Sequence, residues 1–336
     1  MSEIPKDTIG GLNGFDPAIQ TENIAFDRAD LVGCTECGRK NPPNRLQCLY
    51  CGRDLELEPE LATALKPEWR KPDAWESGFN IVFVEARSEA SVEKAARTLS
   101  LETTDLRRIL QGNVGLPLAR VADKSDANAL LECLNTMGFS CRIVSDADLG
   151  AKKPPIRLRS ITISDNGFGF VDFNTGAVTS VKCEDILVIV PGIVSSSRVD
   201  TLEKRKRKKE TKLLDESATM SDELVLDIYI AGDQNGFRIQ QAGFDFSCLG
   251  PDKGLLATEN LRLLTVMLKD RSPNAKLVLN YTEVRYALGL VWEIESRRDS
   301  KGLVHVGFGK REFGAVSSTS NLVQFTKYSR LQQHLL

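Results

Sequence analysis

Cys34-Thr-Glu-Cys-Gly-Arg-Lys-Asn-Pro-Pro-Asn-Arg-Leu-Gln-Cys48-Leu-Tyr-Cys-Gly52 is the one stretch of the chain that names its chemistry. Two Cys-x-x-Cys-Gly knuckles, Cys34/Cys37 and Cys48/Cys51, bring four thiolates within reach of one tetrahedral ion, with Zn–S bonds of roughly 2.3 Å. Four sulfur ligands leave no open position for water or substrate, so the spacing predicts one structural zinc ion. Gly38 and Gly52 each follow the second cysteine of a pair, where φ > 0 lets the backbone fold back with its N–H groups toward sulfur. Arg39, Lys40, Arg45 and Arg53 are close enough in sequence to offset the net charge of about −2 on a four-thiolate zinc site. A redox Cys-x-x-Cys would need only one pair.

These residues resemble the bacterial zinc-ribbon modules written Cys-x-x-Cys-Gly-x-x-Asn-Pro…Cys-x-x-Cys-Gly, matched here by Cys34 to Gly38, Asn41-Pro42 and Cys48 to Gly52. The spacing is also similar to the Ran-binding-protein type zinc finger, with Asn41 between the pairs. Where that second family carries Trp before its first cysteine this chain has Val32. The resemblance covers about 25 residues and implies the metal, not the single-stranded RNA recognition that some of those fingers perform.

The chain has 336 residues, 41% hydrophobic and 27% charged, with a formal net charge of −2. That is enough chain for two or three cores, and there is no global basic excess to draw it to nucleic acid. The start lacks a charged segment followed by an apolar one, and the longest apolar run, Ile186 to Val194, is short and contains Pro191. The expectation is a cytoplasmic protein, neither exported nor membrane-spanning. Cys133, Cys141, Cys183 and Cys248 sit at irregular spacing in apolar patterns and read as small buried hydrophobes in a reducing compartment.

In chain order, residues 1–28 read as a flexible lead-in, 29–57 as the ribbon, and 58–77, with Pro59, Pro67, Pro72, Trp69 and Trp75, as a semi-rigid linker. Residues 78–147 read as a βααβαβ module. Phe79 to Glu85 fits a buried strand, and Val92, Ala95, Ala96 and Leu99 fall at helical spacing. Leu106, Ile109 and Leu110 mark a second helix, Val114 to Val121 with Pro117 an edge strand, and Ala127, Leu130, Leu131 and Leu134 a third helix. Phe139 to Val144 closes the unit. Val92 to Leu99, Pro117, Asp123 to Leu134 and Met137 to Val144, the last two runs most of all, are similar to the C-terminal domain of the bacterial ribosomal stalk protein, a fold shared with the Clp-protease adaptor, so the resemblance implies a stalk-protein or ClpS-like module. The Gly- and Lys-rich factor-binding segment of the stalk protein is replaced here by Ser100 to Asp105.

Residues 156–273 read as a β-rich roll ended by a helix. Arg157 to Ile163, Phe168 to Phe173, Val178 to Val181, Asp185 to Val190 and the alternating Leu224, Leu226, Ile228 and Ile230 give strands. Ala257, Leu261, Leu264 and Leu268 give one face of a helix. The element order is similar to the pleckstrin-homology-like fold. Between the halves lies the basic run Lys204, Arg205, Lys206, Arg207, Lys208 and Lys209, which reads either as a solvated loop or as an anion-binding finger for lipid or nucleic acid. Residues 274–336 read as C-terminal helices, one from Tyr281 to Arg297 and one from Ser317 to Leu336 with the stripe Leu322, Phe325, Tyr328 and Leu331.

Only His305 and His334 exist, and no Gly-x-Ser-x-Gly, His-Glu-x-x-His or phosphate-loop sequence is present. The sequence therefore predicts an α+β multidomain, non-enzymatic, zinc-binding adaptor with a protein partner. The alternative is a nucleic-acid- or ribosome-associated protein acting through Arg39, Lys40, Arg45, Arg53 and Lys204 to Lys209.

Overall fold

A computed structural model describes residues 31–42, 48–53, 55–56, 69–73, 76–112, 114–150, 153–205, 211–233, 235–307 and 310–336. The lead-in, Arg45, Trp75, most of the segment 58–77 and Lys206 to Lys209 lie outside them. The chain divides between Glu68 and Trp69 into two compact units.

In the first unit, β1 (Val32–Gly33) pairs antiparallel with β2 (Lys40–Asn41). The two knuckles repeat one backbone pattern. Cys34 N–H donates to Arg39 O and Gly38 N–H to Cys34 O; Cys48 N–H donates to Arg53 O and Gly52 N–H to Cys48 O. Both glycines have positive φ, 69° and 72°, which lets the chain close these turns without a Cβ clash. Cys34, Cys48 and Leu55 are buried together, with Val32 against them. So small an apolar cluster cannot hold a fold without a further bond.

The second unit begins with β3 (Phe79–Ala86), α1 (Val92–Leu99), α2 (Thr103–Gln111), β4 (Pro117–Val121), α3 (Lys124–Thr136) and β5 (Phe139–Ser145). The order is βααβαβ, and the strands form one antiparallel sheet, β4-β3-β5. Pro117 opens an edge strand, where its missing N–H costs no ladder bond. Ala95, Ala96, Leu99, Leu106, Ile109, Ala127, Leu130 and Leu134 bury the helix faces that the apolar spacing marks. Ser145 and Asp148 form a capping box on a single turn, α4 (Asp146–Leu149).

A nine-stranded sheet follows. Its strands are β6 (Ile156–Ser164), β7 (Gly167–Asp172), β8 (Val178–Lys182), β9 (Ile186–Arg205), β10 (Thr211–Ile230), β11 (Phe237–Gln240), β12 (Lys276–Leu277), β13 (Glu295–Gly307) and β14 (Lys310–Ser320). They are ordered β13-β14-β9-β10-β11-β6-β7-β8, with β12 on β9. Three helices accompany it: α5 (Ala257–Arg271), α6 (Tyr281–Leu288) and α7 (Leu322–His334).

The central strands serve two cores. Leu226 and Ile228 of β10 and Ile189 of β9 face Leu261, Leu264 and Leu268 of α5. The alternate residues Val188, Val190, Val225 and Tyr229 join Tyr281, Trp292, Phe325, Tyr328 and Leu331 in a cluster continuous with the core of the βααβαβ module. Alternation at period two sends neighbouring side chains to opposite faces, so a strand with helices on both sides is apolar throughout.

Three local expectations change. The segments 191–203 and 212–223 carry no apolar alternation, yet β9 and β10 are twenty residues each and pair through most of their length. Beyond Val194 these strands leave the core and are held by ladder hydrogen bonds to one another and to β14, which need no apolar side chains. The helix from Tyr281 ends at Leu288 rather than Arg297, and Glu295 begins β13. The last helix starts at Leu322 because Ser317 to Ser320 pair with β9 as part of β14. Among the described residues no helix is long and apolar enough to cross a membrane.

Candidate metal centre

The structure brings all four predicted ligands together. The Sγ atoms of Cys34, Cys37, Cys48 and Cys51 lie within 4.8 Å of one another, with Cys34 to Cys51 and Cys37 to Cys48 each at 3.5 Å. A tetrahedron with metal–sulfur bonds of about 2.3 Å has edges of about 3.8 Å, so the cluster is the right size for one ion. Each knuckle contributes one buried and one exposed cysteine: Cys34 and Cys48 inside, Cys37 and Cys51 outside. With four sulfurs and no other donor type among the described residues, the site can hold a metal but offers it no vacancy for chemistry.

Asn41 is the residue that the ligand count alone does not reveal. It is fully buried, and its side chain ties the two knuckles together. Its Nδ2 donates to Arg39 O at 2.9 Å and to Cys48 Sγ at 3.5 Å, while its Oδ1 accepts from Leu49 N–H at 2.8 Å. The Asn41-Pro42 pair between the knuckles was its only sequence signal. Tyr50 N–H also points at Cys48 Sγ, 3.4 Å away.

These donors act unequally on Cys48, Cys34 and Cys51. Burial works against the Cys48 thiolate, but the amides of Tyr50 and Cys51, with Cys37 and Asn41 behind them, outweigh it and bring the thiol down to about 6. Cys34 is lowered as well, mainly by the amide of Cys37. Cys51 receives the amide of Arg53, yet burial and the three neighbouring thiols push it up to about 12. A cluster that resists its last ionisation in this way is stabilised by a cation at its centre.

The basic residues are not arranged around the sulfurs alone. Arg53 pairs with Glu36 at 3.2 Å, and the Arg39 guanidinium sits 4.7 Å from the centre of the Tyr50 ring. Leu49 and Tyr50, between Cys48 and Cys51, are both about half exposed, so the second knuckle displays an apolar tip beside a cation. Of the basic run, Lys204 and Arg205 lie on β9 in register with Lys212 and Thr211 of β10.

One cluster elsewhere has the residue types of a catalytic site. The Asp227 carboxylate accepts from Arg238 Nε and Nη2 at 2.7 Å each and from Ser329 Oγ at 2.6 Å. Ser329 also lies 2.7 Å from the Tyr229 hydroxyl. All four residues are buried, so the group knits β10 and β11 to α7 and is closed to substrate. His334 ends α7, whereas His305 is placed on β13. No family model matches the chain, and neither a curated protein nor a solved structure matches it.

Proposed function

We propose that this protein is a non-enzymatic, zinc-binding multidomain adaptor, in which one structural Zn²⁺ held by Cys34, Cys37, Cys48 and Cys51 fixes a surface that a protein partner recognises. The observation that carries the reading is the four-sulfur cluster with the apolar tip Leu49-Tyr50 held out beside Arg39. A closed thiolate site orders the backbone around it and supplies no reactive group. The βααβαβ order, with its β4-β3-β5 sheet, supports the stalk-protein or ClpS-like reading of residues 78–147 as a second interaction module.

Arg39 stacked on an exposed Tyr50 also favours the nucleic-acid- or ribosome-associated reading, since a cation beside an aromatic face suits phosphate and base together. One experiment separates the two. Native lysate is captured on the protein with and without nuclease, in parallel with Leu49→Ala and Tyr50→Ala variants of unchanged zinc content. The adaptor reading expects nuclease-resistant capture that falls in both variants. Capture abolished by nuclease and falling steeply with salt supports the rival. Capture by either variant equal to wild type refutes a role for this tip.

A further inference from the structure

We infer that the trough on one face of strands β13, β14, β9 and β10 binds the phosphate monoester of a polyol, with the phosphate clamped between Arg297 and Arg198. The trough encloses about 530 Å³, and every residue lining it is Ser, Thr, Arg, Asp or Glu. Strand register builds the clamp. Arg297 of β13 stands opposite Ser318 of β14, Ser318 opposite Arg198 of β9, and Arg198 opposite Thr219 of β10. Directly opposed residues of an antiparallel ladder share a face, so these four side chains rise on the same side of the sheet. At about 4.8 Å per strand the two arginines are about 10 Å apart at the backbone, with the Ser318 hydroxyl midway between them. Two guanidinium forks at that spacing can close on one tetrahedral oxyanion above a hydroxyl donor.

Both arginines are held in place with donors to spare. Arg198 Nε donates to Asp200 at 3.2 Å and Arg297 Nε to Asp299 at 3.1 Å, each carboxylate lying two residues along the same strand. The Nη groups of both arginines donate to none of the described residues. Asp200 is shared with Lys301 Nζ at 2.6 Å, so Arg297, Arg198 and Lys301 outnumber Asp299 and Asp200 and the clamp stays positive. The next row, about 7 Å along the strands, is Glu295, Ser320, Ser196 and Ser221. Ser196 and Ser221 lie 2.8 Å apart, and each hydroxyl keeps capacity for a further bond. Serine hydroxyls and a carboxylate beside an oxyanion clamp match the donors and acceptors of a polyol. No aromatic residue lines the trough, so it offers no stacking face to a nucleobase.

The site uses none of the zinc knuckles, so it is tested separately from the adaptor reading, by calorimetric titration of the full zinc-loaded chain. Glucose 6-phosphate should bind with a Kd of about 0.1–1 mM, and inorganic phosphate at least about tenfold more weakly, since it reaches the clamp alone. Arg198→Gln and Arg297→Gln should each weaken glucose 6-phosphate at least about tenfold by removing charge-assisted bonds to the phosphate. Their melting temperatures should match wild type, because the two side chains are 58% and 75% exposed. Arg298→Gln removes a neighbouring cation that stands opposite Ser317 on the other face of the sheet, and it should bind as wild type does. Absence of glucose 6-phosphate binding at about 10 mM would overturn the inference. So would wild-type affinity in either clamp variant, an equal loss in Arg298→Gln, or inorganic phosphate binding as tightly as the sugar phosphate.

Discussion

Asp227→Ala tests whether the junction between β10, β11 and α7 is held as described. The carboxylate is fully buried and takes both Nε and Nη2 of Arg238, itself 4% exposed, along with Ser329 Oγ. Removing it leaves a guanidinium in the core with Thr326 Oγ1 at 2.9 Å as its remaining polar partner and no counter-charge. Breaking a buried pair in this one-sided way costs about 3–5 kcal/mol. For a domain of this size about 1 kcal/mol corresponds to about 2–4 °C, so the melting temperature should fall by about 6–20 °C. The double variant Asp227→Leu/Arg238→Met removes both charges, while Ser329 keeps Tyr229 and Thr326 O as partners. It should therefore recover much of the loss, because no charge is left unpaired. Calorimetry and urea unfolding of the three proteins measure this. A single variant melting within about 2 °C of wild type, or a double variant worse than the single, would refute the account.

Zinc analysis of purified protein should give one ion per chain, and Cys34→Ser or Cys51→Ser should lose it while the second unit keeps its melting transition, since that unit's cores are separate from the cysteine cluster. Asn41→Ala should keep the four ligands but bind zinc about 10–100-fold more weakly in a chelator competition, because it removes the donor to Cys48 Sγ and the acceptor for Leu49 N–H. Burial raises the Asp146 carboxyl, but Arg120, Asn80 and the Gly78 amide hold it below its ordinary value. A depressed folded value stabilises the protein above the ordinary aspartate range near about 3.9 and is lost on further acidification. Asp146→Asn should accordingly melt well below wild type at neutral pH, with the gap closing as pH falls below about 4; a constant gap would contradict this. If the basic run is a solvated segment, replacing Lys204 to Lys209 by Gln should leave zinc content and melting temperature unchanged, since solvated like charges contribute little to stability. If RNA binding at low salt disappears in that variant with folding intact, the rival reading gains.

Two kinds of signal are local enough to be read from the chain alone. Ligand spacing is one: Cys34, Cys37, Cys48 and Cys51 converge because two short turns of the same kind suffice to aim them at a point. Apolar periodicity is the other, and it marked Ala95 to Leu99, Ala127 to Leu134 and the inward stripe of α5 correctly because each covers one face of one element. What tertiary structure decided lies where that logic stops. The alternation Leu226, Ile228 showed one buried face of β10, but the residues between them are buried too, and Asp227 reads as an exposed position until Arg238 and Ser329 arrive from β11 and α7. In α7 the stripe Phe325, Tyr328, Leu331 is core as expected, yet Gln324, Thr326, Ser329, Arg330 and Gln332 are buried as well. Their partners are distant backbone and side-chain groups, such as Trp292 O for Gln324 and Gly115 O for Gln332. Likewise β13 and β14 hold together by a ladder across polar residues, and a ladder bond belongs to two strands at once. A buried polar group is stable only when its partner is supplied from elsewhere in the chain, and no single stretch of sequence carries both halves of that bond.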